Sequence, residues 1–125
     1  MSKRDLDRDR RATLTVLLLA LDASPLSLRR DFWRGIGRWG DYAIHGKRGH
    51  TYPDGDGYLL CVHARSARSW SAAKRKLPFC QLRIDGEDEG TFHLDHLPSP
   101  TEANAIRKVM GVRKRRKPSG EPRPS

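Results

Sequence analysis

Within ARSARSWSAAKRKL, residues 64 to 77, four cations recur at helical spacing. Placed at 100° steps, Arg65, Arg68, Arg75 and Lys76 gather on one side of a helix while Trp70, Ala73 and Leu77 take the other. The chemistry this suits is phosphate binding: charge without acid, with Ser69 and Ser71 as neutral donors. A helix charged merely for solubility mixes signs to gain i to i+4 pairs, and this exposed face holds no acidic residue. Two further cation groups accompany it. Arg113, Lys114, Arg115, Arg116 and Lys117 form an unbroken run near the C-terminus, able to grip phosphates as an arm or to complement the negative end of a preceding helix. Arg29, Arg30 and Arg34 form the third group, in SPLSLRRDFWRG.

The acidic counterpart is DGEDEG, where Asp85, Glu87, Asp88 and Glu89 crowd into one turn. Their order lacks the spaced oxygens of a calcium loop, so they read as a solvated loop able to dock on a basic partner or to shield the protein's own cations. HLDH, with His63, His50 and His45 elsewhere, invites a hydrolase or zinc reading. Strand alternation sends His93 and His96 to opposite faces, however, and no nucleophile with its base and no carboxylate pair is evident. The expectation is a non-enzymatic protein with no cofactor and no metal site. A small toxin-like ribonuclease using His93 with Arg83 or Lys76 is the enzymatic alternative.

Composition agrees with a polyanionic partner. Lys and Arg number 25 against 15 Asp and Glu, a formal charge of +10, and such an excess attracts phosphate backbones through counterion release. The apolar fraction of 36% with 32% charged residues implies a small core under an ionic surface. Cys61 and Cys80 lack CxxC spacing and lie in apolar runs, so reduced buried thiols are expected, although a disulfide between them stays open. Arg10 and Arg11 before the apolar stretch Leu14 to Leu21 imitate a signal peptide, but Asp5, Asp7 and Asp9 are foreign to a positive leader. No run is long enough for a membrane span. The chain is therefore expected to be cytoplasmic, with no membrane partner.

The elements that must position these residues follow from period and punctuation. Leu14, Leu17, Leu18 and Leu21 predict a helix over residues 5 to 23. Ser24 and Pro25 predict the start of a second helix carrying Arg29, Arg30 and Arg34 and stopping at Gly35. Most of the glycines fall between residues 35 and 57, which predicts loops with short strands near 42 to 45 and 50 to 52, and leaves open whether this aromatic segment is core or contact. YLLCVHA predicts a buried strand, Ser66 caps the cationic helix and Pro78 ends it. FCQLRID and TFHLD predict a hairpin with Cys80, Leu82, Ile84, Phe92 and Leu94 inward and Gln81, Arg83, Thr91 and His93 outward. Ser99, Pro100 and Glu102 form a capping box, Ala103, Ile106 and Met110 the buried stripe, and Gly111 the stop.

The sum is an α+β fold in one small domain, in the order α-α-(β)-β-α-β-β-α, with helices on one face of a small, mainly antiparallel sheet. Residues 1 to 11 form a charged extension or frayed helix start, 12 to 111 the domain, and 112 to 125 a disordered basic tail. A helix-turn-helix over the first two helices is disfavoured by their short connection without glycine and by the proline start. An RNA-recognition sheet is disfavoured because its stacking face would carry Thr91 and His93 rather than aromatic rings. The functional expectation is a small basic nucleic-acid-binding protein of regulatory or accessory type, for DNA in preference to RNA. The alternative is an interaction module or inhibitor acting on a larger nucleic-acid-processing protein or ribonucleoprotein. Oligomeric state and target sequence are not legible.

Overall fold

Serine at the N-cap and leucines at helical spacing make the first element, α1 (Lys3–Ala20), in which Ser2 Oγ accepts from the Asp5 backbone N–H and Leu14, Leu17 and Leu18 are buried. The structure is a computed structural model and describes residues 2 to 33 and 37 to 116. After α1 come a single 3-10 turn (Pro25–Ser27), the strands β1 (Leu28–Trp33), β2 (Arg38–Gly46), β3 (Gly49–Asp54) and β4 (Gly57–His63), then α2 (Ala67–Lys76), β5 (Gln81–Asp85), β6 (Glu89–Leu94) and α3 (Pro100–Met110). The strands form one six-stranded sheet in the order β1-β2-β3-β4-β6-β5, antiparallel throughout. The fold is α+β, as the sequence led us to expect.

Alternation along the strands divides the sheet. Ile44, Thr51, Leu60, Val62, Phe92 and Leu94 are buried beneath the helices, and all but Thr51 join one hydrophobic cluster with Leu14, Leu17 and Leu21 from α1 and its end, Trp70, Ala73 and Leu77 from α2 and its end, and Ala103, Ile106 and Met110 of α3. The opposite face carries His45, His50, Tyr52, Cys61, His63, Thr91 and His93, as their register requires. No described helix is long and apolar enough to cross a membrane.

Trp70 fastens α2 to the sheet. Its ring lies 5.3 Å from that of Phe92, and it fits because residue 90 is glycine: a Cβ there would run into the indole. Its Nε1 donates to the Asp85 carboxylate at 2.8 Å. The capping box of α3 is formed as expected, with Ser99 Oγ accepting from the Glu102 N–H and Glu102 Oε1 accepting from the Ser99 N–H. Gly111, at φ 68°, ends the helix in the left-handed conformation that glycine adopts without strain.

Three expectations need correction. The second helix does not form. Ser24 caps only the 3-10 turn, and from Leu28 the backbone is extended, because β2 offers it cross-strand partners from Ile44 to Arg38, interrupted only at Asp31. Arg29 and Arg30 are therefore strand residues on opposite faces, not neighbours on a helix. The strands expected near 42 to 45 and 50 to 52 are present but run longer, Arg38–Gly46 and Gly49–Asp54, and take up most of the segment expected to be loop, with Tyr42 and Tyr52 on opposite faces of the sheet. In β5 the register slips between Leu82, which faces Phe92, and Ile84, which faces Thr91. Arg83 is the extra residue, so the bulge turns Ile84 to the far face, and on this edge strand Leu82 is 39% and Ile84 61% exposed. Cys80, half-buried, precedes the strand and packs on the core.

The folded backbone also continues past Gly111. Val112 is buried, Lys114 bridges to Ala23, and the hydrogen bonds Ser24 N–H to Arg113 O and Arg115 N–H to Asp22 O hold this stretch against the end of α1. Lys117 and the residues after it lie outside the described residues, as does Arg34.

Candidate nucleic-acid interface

Ser66 caps α2 by accepting from the Ser69 N–H, which fixes the helix phase and buries Trp70 and Ala73 on the sheet side. The opposite arc is solvent-facing: Arg68, Arg75 and Lys76 are exposed, as is Arg65, which lies just before the cap rather than on the helix as its spacing suggested. Beside this arc runs a groove of about 350 Å³ whose lining includes Arg65, Ser69 and Lys76 from the α2 side and Lys108 from α3, with Arg48 at the turn between β2 and β3. Val62, Ala64, Ala72, Ala73 and Val109 make up the apolar part of the lining. No lining residue is acidic.

Arg48 is placed by hydrogen bonds rather than by its own segment. Its Nε donates to Val109 O at 3.1 Å and its Nη2 to Lys108 O at 2.7 Å, while its backbone N–H donates to Met110 O at 2.9 Å. These satisfy carbonyls that the last turn of α3 leaves unpaired, and they put a cation at the negative end of the helix.

Among the described residues, Arg65, Arg68, Arg75, Lys76 and Lys108 have no acidic partner within 4.0 Å. Lys74 differs, since it meets the Asp85 carboxylate at 3.0 Å beside the Trp70 donor. Those two hydrogen bonds, Trp70 first, hold the Asp85 carboxyl below its ordinary range. Asp85 is thus tied to α2, and Glu89 meets His63 at 2.7 Å; all four acids of the turn are exposed, and among the described residues Glu87 and Asp88 are the two without an ion pair. Arg65 and Arg68 stand at the positive end of α2, whose first turn holds no acid. That placement opposes the helix dipole and costs stability unless an anion approaches.

The other expected contacts are dispersed. Arg30 is half-buried against Asp7 at 2.9 Å and lies over the Tyr42 ring with Arg11, so its charge is largely used. Arg29 points to the other face of the sheet. Arg113, Lys114, Arg115 and Arg116 are exposed next to the end of α1, with Lys114 4.0 Å from Asp22. Helical period revealed Arg65 and Lys76. Arg48 and Lys108, sixty residues apart, carried no local signal and were missed.

The histidines of the ribonuclease alternative are spread over the fold. His93 sits on the sheet face away from α2, 3.7 Å from Asp54, so the sheet separates it from Lys76. His96 lies beyond β6 between Asp95 and Glu102, at 2.7 and 3.0 Å, which raise its pKa through hydrogen bonds. Burial raises both thiols, Cys61 on the far face and Cys80, the latter to about 12, and both are free. No family model, curated protein or solved structure matches this chain.

Proposed function

We propose that the protein binds nucleic acid through the groove between α2 and α3, without catalysing a reaction on it. One observation carries this reading: Arg48, Arg65, Lys76 and Lys108 converge from three separate segments on one groove whose lining contains no acid. Like charges repel, and bringing four together lowers the stability of the free fold; a phosphate backbone laid along the groove turns that repulsion into attraction. Arg68 and Arg75 extend the cationic surface along the outer arc of α2, and Ser69 offers a neutral donor inside it. The exposed run from Arg113 to Arg116 adds a second point of attachment.

A helix presenting cations along one arc suits duplex DNA, either across the phosphates or in the major groove, so duplex DNA is the first target. The test is fluorescence anisotropy of labelled double-stranded DNA, single-stranded DNA and RNA with the full chain over a salt series. The expected result is tightest binding to duplex DNA, with affinity falling steeply as salt rises. Equal indifference to all three at moderate salt would reject the reading and direct attention to an acidic protein partner.

A further inference from the structure

We propose that Asp31, His45 and His50 form a binding site for one divalent transition-metal ion of the zinc class, on the face of the sheet turned away from the helices. The residues come from three adjacent strands. His45 of β2 and His50 of β3 are directly opposed in the register. Asp31 of β1 sits where the β1–β2 register shifts between Arg30 and Phe32, so that Gly40 and Asp41 together pass this one residue. Alternation alone sets its face: Arg29 pairs with Ala43, and Asp31, two residues on, lies on the same side as His45, two residues after Ala43.

One ligand atom from each residue, all three lying within 4.8 Å of one another, makes the set. Asp31 Oδ1 is 3.3 Å from His45 Nε2 and 3.8 Å from His50 Nε2. Zinc bonded at roughly 2.0 to 2.1 Å in tetrahedral geometry holds its donors roughly 3.3 to 3.4 Å apart, so small rotations of the rings, His50 above all, bring the set to bonding distance without backbone movement. The second carboxylate oxygen is already committed: Tyr52 donates its hydroxyl to Asp31 Oδ2 at 2.9 Å, which orients Oδ1 as the free ligand, as hydrogen bonds behind metal ligands commonly do.

Exposure is graded across the site, with the side chains of His45 at 8%, Asp31 at 18% and His50 at 37%. Three protein ligands with one side open to solvent leave a fourth position for water or an anion. His45 Nε2 also lies 3.0 Å from the Arg29 carbonyl; the ion takes the lone pair that a proton occupies in that hydrogen bond, and His45 then carries its proton on Nδ1. His63, whose ring centroid is 6.5 Å from that of His50, is held by Glu89 and stays outside the set.

The test is titration of the tag-free full chain with Zn2+ by calorimetry and with Co2+ by visible absorption, alongside His50→Gln, Asp31→Asn and His63→Gln. The expected result is one equivalent bound, with a four-coordinate Co2+ band that His63→Gln keeps. His50→Gln and Asp31→Asn weaken binding at least tenfold, and His50→Gln, altered at the most exposed ligand, keeps the wild-type circular dichroism without metal. Absence of one-equivalent binding would overturn the proposal, as would binding that His50→Gln leaves intact.

Discussion

Arg48 donates from Nη2 to the carbonyl of Lys108 at 2.7 Å, joining the β2–β3 turn to the last turn of α3 across sixty residues of sequence. This bond places two of the four cations of the groove and supplies a partner to a helix end that would otherwise be unpaired. Arg48→Ala removes both guanidinium bonds to α3. A destabilisation of about 1 to 3 kcal/mol is expected, read as a lower urea midpoint with unchanged slope, together with weaker DNA binding. Arg48→Lys retains the charge but not the fork of donors, so it should recover more of the binding than of the stability.

Gly90 is where the tryptophan of α2 meets the sheet, and a Cβ there collides with the indole of Trp70. The Ile84 carbonyl of β5 lies just as close, so Gly90→Ala should cost about 1 to 3 kcal/mol by displacing the helix, the edge strand or both. Thermal melting followed by tryptophan fluorescence measures this, and a melting temperature equal to wild type would show that Trp70 does not rest on this strand.

His96 stands between Asp95 and Glu102, and its hydrogen bonds to both raise its pKa above the ordinary 6.5. A histidine with a raised folded-state pKa adds stability that is complete below 6.5 and fades as pH rises through the folded value. Wild type should therefore exceed His96→Gln in stability most clearly at about pH 5.5, with the two proteins converging towards about pH 8.5. Denaturant midpoints across that range check the sign; a gap that widens with pH would contradict it.

Cys61 and Cys80 are free, and burial raises the pKa of both. Thiolates are the reactive form, so both thiols should react slowly with iodoacetamide at about pH 8 in the native protein and rapidly in denaturant. Mass spectrometry of non-reduced protein should show two thiols and no disulfide.

Some elements announce themselves in the sequence and others do not, and the difference is range. The leucine stripe of α1, the Ser66 cap of α2 and the Ser99–Glu102 box of α3 are local patterns, and all three helices lie close to where period and capping place them. Leu28 to Trp33 also begins with a local signal, Ser24 and Pro25, but pairing with β2 overrules it, and propensity yields. Ile84 alternates correctly with Leu82 in the sequence, and only the bulge at Arg83 reverses its face. The same holds for the sites. Arg68, Arg75 and Lys76 share one helix, with Arg65 just before its cap, and were legible from one stretch of sequence, whereas Arg48 and Lys108 join Arg65 and Lys76 through tertiary structure. Asp31 meets His45 and His50 only because residues 28 to 33 pair as a strand with β2, where local signals predict a helix.

The most direct measurement is the affinity and salt slope for duplex DNA of Arg65→Glu combined with Lys76→Glu, set beside wild type by fluorescence anisotropy, with circular dichroism to verify the fold. Both side chains are exposed, so the fold should persist. The groove as interface requires affinity to fall at least tenfold, with the slope of log affinity against log salt shallower by roughly 0.9 for each phosphate no longer neutralised. Unchanged affinity and slope in a folded double variant would show that the groove between α2 and α3 is not where nucleic acid binds.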